Sequence, residues 1–151
     1  MTTSPETHTT DRISLRELAP DAYRRMLALD GAVKFDPPLY ELIKLRASQL
    51  NGCAYCVDMH ARAARDMGES ERRLYAVAAW RESTFFTPRE RAAFAVCEAI
   101  TLLPDAGLPD DVYEAATEHF DDEELAQLIF GCVTINAWNR MGVSTRLVPE
   151  D

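Results

Sequence analysis

Apolar residues recur at intervals of three and four along most of this 151-residue chain, and that spacing predicts helices. The pattern is plainest in two segments, at Leu39, Leu42, Ile43, Ala47 and Leu50 and at Leu125, Leu128, Ile129, Cys132, Ile135 and Ala137. No segment shows sustained alternation or a run of β-branched residues, so strands are not predicted. We therefore expect an all-α protein, a helical bundle of about six or seven helices.

Polar residues mark where several of these helices begin. Asp36 precedes two prolines that suit a first helical turn, and Thr87 with Glu90 has the spacing of a capping box. The acidic run 121–124 predicts the start of the last helix, because carboxylates stabilise the positive end of the helix dipole. We expect that last helix to end at Met141-Gly142.

The composition of the N-terminal part of the chain changes after residue 12. Residues 1–12 are polar and rich in threonine, which predicts a flexible tail, and residues 13–151 are predicted to form a single domain. The first long helix is expected to begin at Pro20 and stop at Gly31, with its apolar residues inward. Those residues are Tyr23, Met26, Leu27 and Leu29.

Composition and charge narrow the class of function. The hydrophobic share of 47% and the charged share of 27% are ordinary for a globular protein. A formal net charge of −9 disfavours nucleic acids and anionic membrane surfaces as partners. No apolar run approaches the roughly 20 residues of a membrane span, and the N-terminus lacks the features of a secretion signal. We expect a cytoplasmic protein.

Two of the four cysteines form the motif Cys53-x-x-Cys56, directly after Asn51-Gly52. Because Asn51-Gly52 predicts a helix break, the motif falls at the N-terminus of a new helix, and His60 lies one turn after Cys56. A helix N-terminus, a second thiol and a nearby base each favour the thiolate, so Cys56 is the better candidate for activation. The pair suits either peroxide reduction or disulfide exchange with proteins.

Two other interpretations of the motif stay open. Cysteine and histidine also bind zinc, although a closed site needs a fourth ligand from Cys97, Cys132 or His119, and none of these has paired ligand spacing. Alternatively, the cysteines only pack a helix junction and His60 is a core residue. We expect neither a metal nor an organic cofactor, and we expect Cys97 and Cys132 to be inert buried thiols.

The stretch from Glu41 to His60 resembles the alkylhydroperoxidase D-like branch of the carboxymuconolactone decarboxylase family. The shared pattern is a glutamate on one helix, Asn-Gly-Cys-x-x-Cys across the break and a histidine on the next helix. The segment 135–140, Ile-Asn-Ala-Trp-Asn-Arg, is also similar to single-domain members. The resemblance covers roughly residues 20–145.

This resemblance implies an all-helical peroxidase that assembles into homotrimers or homohexamers. It implies Cys56 as the peroxidatic thiol, Cys53 as the resolving thiol, and Glu41 with His60 as a proton relay. A small hydroperoxide would be the substrate, and an external dithiol protein or lipoyl group the reductant. Better-studied members carry a second histidine where this chain has Tyr55, whose phenol, with a pKa of about 10, is not a base at neutral pH. A non-peroxidatic thiol–disulfide switch and a lactone decarboxylase are the alternative functions, and the decarboxylase branch lacks the cysteine pair.

Asn136, Asn139 and Arg140 form a polar cluster on the otherwise apolar last helix. We interpret Arg140 as a charge partner for the end of that helix, with a place in the active-site pocket or at an interface as the alternative. Trp80 and Trp138 are expected to anchor the core or an interface.

Overall fold

The structure, a computed structural model, describes residues 12–149, and within them the only regular secondary structure is helical. It contains α1 (Leu15–Leu18), α2 (Pro20–Ala32), α3 (Pro37–Asn51), α4 (Ala54–Asp66), α5 (Glu71–Ala76), a 3₁₀ turn (Val77–Ala79), α6 (Pro88–Leu102), α7 (Asp110–Thr117) and α8 (Asp122–Thr145). The all-α prediction is confirmed, and the helix beyond the six or seven expected is the four-residue α1. In this part of the chain no helix is long and apolar enough to cross a bilayer.

The predicted capping residues begin the helices to which they were assigned. Asp36 caps α3. In the capping box of α6, Thr87 Oγ1 accepts the Glu90 N–H at 3.2 Å and Glu90 Oε2 accepts the Thr87 N–H at 2.8 Å. Asp121 and Glu124 form a second box at α8 in the same reciprocal way. These side chains satisfy backbone donors that a helix N-terminus leaves without partners.

Helix α3 is central to the fold and packs against α4, α6 and α8. One apolar cluster joins it to α6, α7 and α8, and includes Ile43, Ala47, Val96, Phe120, Leu128 and Ile135. The other joins it to α4, α5 and α6, and includes Leu42, Leu45, Ala64, Leu74, Trp80 and Phe94. Because α3 is covered on several sides, Glu41 is carried into the interior between its apolar neighbours.

The junction between α3 and α4 is a tight turn set by Gly52. Gly52 has φ +67°, in the left-handed region that favours glycine, and its N–H is bound by carbonyls of the last turn of α3. The next N–H, from Cys53, is donated to the Ser48 carbonyl at 3.1 Å. α4 then starts at once with Cys53 as its N-cap residue. The break predicted from Asn51-Gly52 therefore places both cysteines at the first turn of α4.

The prediction for the helix that begins at Pro20 was wrong in two respects. α2 continues through Gly31 to Ala32, and Leu27 and Leu29 are 51% and 41% exposed. A glycine with helical dihedrals does not end a helix, and α2 lies on the surface with limited contact to α8. The apolar residues of α2 are therefore not part of the core.

Residues 1–11 lie outside the described part of the chain, and with them nearly all of the predicted tail. Arg12, the first described residue, donates from Nη1 to the Ser144 carbonyl at 2.8 Å. The division into a tail of residues 1–12 and a single domain of residues 13–151 stays a prediction.

Candidate active site

The two motif cysteines lie at the buried N-terminus of α4. They are joined by a disulfide, and Cys53 Sγ accepts a hydrogen bond from the Cys56 N–H at 3.3 Å. Both residues are almost fully buried, at 2% and 3% exposure. The free N–H groups of the first turn of α4 carry partial positive charge, so a thiolate formed there by reduction is stabilised.

A buried acid–base pair lies one turn further along α4. His60 Nδ1 is 2.8 Å from Oε2 of Glu41, which α3 presents from the other side of the junction. Lys44, three residues after Glu41, forms an ion pair with the other carboxylate oxygen. The structure thus brings the predicted Glu41 and His60 together and adds Lys44, which the sequence interpretation missed. Its i+3 spacing from Glu41 was the available signal.

The surroundings of Glu41 keep its carboxyl group ionised. Burial by itself raises the pKa of Glu41, but hydrogen bonds from His60 and Lys44, together with the positive charge of Lys44, outweigh that effect. The net result is a pKa below the ordinary value of a glutamate. An ionised Glu41 accepts the Nδ1–H of His60, which leaves Nε2 as the ring nitrogen outside this hydrogen bond.

A cavity of about 570 Å³ opens beside this pair. Cys56, His60, Lys44 and Tyr55 line it, whereas Cys53 does not. Much of the remaining wall is apolar and includes Tyr23, Leu27, Met59, Trp138, Met141 and Leu147. Its volume is within the range of small-molecule sites in proteins. Of the two sulfur atoms, the one on Cys56 is therefore the one beside a space that a small molecule can occupy.

The disulfide packs against a glycine of the last helix. α8 continues through Gly142 to Thr145, so the prediction that it ends at Met141-Gly142 was wrong. A Cβ atom on Gly142 would stand 3.0 Å from Cys53 Sγ and 3.5 Å from Cys56 Sγ. The missing side chain lets the α8 backbone approach both sulfur atoms. The sequence interpretation missed this role, because a glycine near a helix end looks locally like a terminator.

An amide network ties the end of α3 to α8 beside the junction. Asn51 Nδ2 donates to Oδ1 of both Asn136 and Asn139 at 2.9 Å, and Asn139 Nδ2 donates to Ser48 Oγ at 2.9 Å. Arg140 Nη1 binds the Asn136 carbonyl and side chain, one turn back within α8, and Arg140 does not line the cavity. The network fixes the position of the α3–α4 turn, and Arg140 supports it from the surface.

The remaining cysteines lie in the core, away from the cavity lining. Cys97 and Cys132 are fully buried and not disulfide-bonded. A hydrogen bond with Cys97, followed by burial, raises the pKa of the Cys132 thiol well above its ordinary value, which makes it a poor nucleophile. Within residues 12–149, no three histidine, cysteine, aspartate or glutamate side chains are grouped so as to hold a metal ion.

A model of a known protein family matches part of the chain. Residues 20–99, more than half of the chain, match the model of the carboxymuconolactone decarboxylase family. The chain belongs to the carboxymuconolactone decarboxylase family. Within the family, its similarity to solved AhpD-like structures places it in the alkylhydroperoxidase D-like branch, as the motif predicted.

Three relatives of this family member show how far the likeness extends. The uncharacterized protein YdfG of Bacillus subtilis (strain 168) is 41% identical over 136 residues, 88% of this chain and 92% of YdfG. The crystal structure of ATU0492 from Agrobacterium tumefaciens, a protein of unknown function and candidate antioxidant defence protein AhpD, has a TM-score of 0.89 and 38% identity. The matched region is 93% of this chain and 99% of ATU0492.

The third relative shares the fold at lower identity. It is the alkylhydroperoxidase AhpD core of an uncharacterized peroxidase-related protein from Ralstonia eutropha JMP134, with a TM-score of 0.80 and 24% identity. The matched region is 91% of this chain and 74% of that one.

Proposed function

We propose that this protein is a thiol-dependent peroxidase that reduces organic hydroperoxides through Cys53 and Cys56. The observation that carries the proposal is the buried Glu41–His60 pair at the cavity that also reaches Cys56. A dithiol at a helix N-terminus, with one of its thiols beside an oriented base at a small-molecule cavity, supplies the groups that two-electron peroxide reduction uses. Membership of the alkylhydroperoxidase D-like branch supports the same reaction.

The proposed cycle has three steps. The Cys56 thiolate attacks a peroxide oxygen, so an S–O bond forms, the O–O bond breaks, and the alkoxide leaves as an alcohol after taking a proton. Cys56 is now a sulfenic acid, oxidised by two electrons. The Cys53 thiol attacks this sulfur, and the disulfide forms as water leaves. An external dithiol then reduces the disulfide and becomes a disulfide itself, which restores both thiols.

Protons move through His60 in this scheme. Nε2 of His60 takes the thiol proton of Cys56 and returns it to the leaving alkoxide. Glu41, held anionic by Lys44, orients the ring and stabilises the imidazolium between these two transfers. Tyr55 lines the cavity beside Cys56 and supplies no second base at neutral pH.

The electrons come from outside the chain, from a dithiol protein or a lipoyl group. Cys97 and Cys132 lie in the apolar core rather than at the cavity, so they are not placed to reduce the disulfide. A continuous supply of reduced dithiol is a property of the cytoplasm, and we propose that compartment as the site of action.

We further propose that the protein works as a homo-oligomer, a trimer or a hexamer. α8 presents an exposed apolar stripe formed by Ala126, Phe130 and Val133 at helical spacing. Phe130 is 54% and Val133 48% exposed, which is high for apolar residues this size. A second copy of the chain that covers the stripe would remove these side chains from water.

Thiol counting after exposure to cumene hydroperoxide tests the peroxidase. The reduced chain has four cysteines, and one equivalent of the peroxide is expected to remove two thiols and leave those of Cys97 and Cys132. Cys56→Ser should lose none. Cys53→Ser should react once and stop at a sulfenic acid on Cys56, which dimedone traps as an adduct visible by mass spectrometry.

Cys97→Ser is the matched control, because it removes a buried thiol outside the site and should still lose two thiols. If wild type loses none but its disulfide exchanges with an added dithiol, the protein is a thiol–disulfide switch rather than a peroxidase. Tightly bound zinc without thiol loss would favour a metal site, and turnover of a lactone acid by Cys56→Ser would favour the decarboxylase. The sulfenic acid on Cys53 instead of Cys56 would reverse the two roles.

A further inference from the structure

The cavity beside Cys56 is bordered by cations although the whole chain is acidic. The chain has 16 lysines and arginines against 25 aspartates and glutamates. The cavity lining reverses that ratio, since it includes Arg12, Arg16 and Lys44 but, among the described residues, Asp30 as its one carboxylate. The acidic surface as a whole repels anions, whereas the cavity has more cationic than anionic side chains. The cavity is therefore the part of the molecule where an anionic ligand is favoured.

The charges differ in how far they are already paired. Lys44 is paired with Glu41. Asp30 accepts a hydrogen bond from a neutral group, the Tyr40 hydroxyl, at 3.0 Å, so the two arginines outnumber the one carboxylate at the cavity. Arg12 donates to a neutral backbone carbonyl and keeps its charge. Arg16 forms no ion pair with any residue between 12 and 149. Both arginines are exposed at the border of the cavity, so an anion could bind them without the cost of a buried charge.

The interior of the cavity is lined by apolar and aromatic side chains, which favour an apolar group on the ligand. Tyr23 and Trp138 meet edge to face, with their ring centroids 5.3 Å apart. Leu27, Met59 and Met141 complete an apolar wall on the same cavity. A compact hydrocarbon or aromatic group buried there is stabilised by roughly 25 cal/mol for each Å² of apolar surface removed from water.

We propose that the cavity selects organic hydroperoxides that carry a carboxylate, with the acid group at Arg12 and Arg16 and the apolar body against Tyr23 and Trp138. This inference rests on the proposed peroxidase function for its reaction but not for its binding step. The hydroperoxide group reacts at Cys56 as described above. The carboxylate stays unchanged throughout, so it acts only in recognition.

Binding of an unreactive analogue tests the inference without the peroxidase reaction. The affinities of 4-isopropylbenzoate and of its neutral methyl ester are measured by calorimetry. We expect the acid to bind about tenfold more tightly, because one charge-assisted hydrogen bond at a partly solvated site contributes about that factor to affinity. The preference should shrink as salt is raised, because exposed charges are screened. In Arg12→Gln/Arg16→Gln the ratio of the two affinities should fall to near one.

Arg72→Gln is the matched control, because Arg72 is exposed on α5 and does not line the cavity, and its ratio should equal that of wild type. An ester that binds as well as the acid overturns the inference, as does a preference that survives the double substitution. No binding of either compound also overturns it.

Turnover separates this inference from the proposed function. Cumene hydroperoxide with a para-carboxylate should be reduced faster at low concentration than its methyl ester. Equal turnover of the two would refute the inference and leave the peroxidase intact. Selective binding of the acid with no thiol loss from either hydroperoxide would refute the peroxidase alone.

Discussion

At the scale of single residues, the site depends on the hydrogen bond and the ion pair that join Glu41 to His60 and to Lys44. Glu41 is bound on one oxygen by Lys44 and on the other by His60. A buried carboxylate that lost either partner would keep its desolvation cost without the compensating charge. The orientation of the His60 ring is therefore set by α3 as well as by its own helix.

Replacement of His60 tests whether it acts as a base. His60→Gln should slow peroxide consumption by about a hundredfold near pH 7, where the thiolate of Cys56 needs a base to form. Near pH 9 the slowing should be less than about tenfold, because the thiol then ionises unaided. The measurement is the second-order rate of peroxide consumption from about pH 6 to pH 9.

His119→Gln serves as the control, since His119 lies outside the cavity lining, and its pH–rate profile should match that of wild type. Equal slowing of His60→Gln at both ends of the range would indicate that His60 only supports the structure.

At the scale of helices, three elements meet at the disulfide. α3 ends and α4 begins there, and α8 passes close enough that a Cβ atom on Gly142 would lie 3.0 Å and 3.5 Å from the two sulfur atoms. The amide network of Asn51, Asn136 and Asn139 fixes the distance between the α3–α4 turn and α8. Because this distance is fixed, neither the α3–α4 turn nor α8 can move far to make space for a residue larger than glycine at position 142.

Gly142→Ala should lower stability even though alanine is the better helix former. Its new methyl group crowds the disulfide, and overpacking of this kind costs about 1–3 kcal/mol, against a gain of up to about 1 kcal/mol in helix propensity. We expect the Tm of the oxidised protein to fall by a few degrees. Thermal unfolding of the oxidised protein followed by circular dichroism measures the effect.

Gly31→Ala provides the matched comparison within another helix. A Cβ atom at Gly31 meets no atom within 4 Å, so this variant should keep the propensity gain and raise the Tm. If Gly142→Ala were stabilised as much as Gly31→Ala, the close approach of α8 to the disulfide would not constrain the site.

At the scale of the whole molecule, the exposed apolar stripe on α8 bears on how the chain assembles. Phe130→Glu should break the proposed oligomer, because a carboxylate would be buried at the centre of the covered surface. Light scattering after size-exclusion chromatography should give a trimer or hexamer mass for wild type and a monomer mass, near 17.0 kDa, for the variant. Tyr113→Glu, an exposed aromatic on α7, should not change the mass. A wild-type monomer would contradict the proposed assembly.

Much of the fold was predictable because its signals are local. Asp36, Thr87 with Glu90 and Asp121 each bind backbone groups within three residues, so their effect does not depend on distant parts of the chain. Gly52 ended α3 as predicted, but Gly31 and Gly142 did not end their helices. A glycine permits a left-handed turn without requiring one, and only the surrounding packing decides whether the helix continues.

The sequence by itself determined all the helices but the short α1, the starts of several of them, and the placement of Cys53 and Cys56 at a helix terminus with His60 one turn further on, because these follow from spacing and capping. Only the tertiary structure decided that Glu41 of α3 meets His60 of α4, that α8 passes the disulfide at Gly142, and that Cys56 rather than Cys53 meets the cavity. Those contacts link α3, α4 and α8 across long stretches of sequence, and they depend on how packed helices are positioned relative to one another.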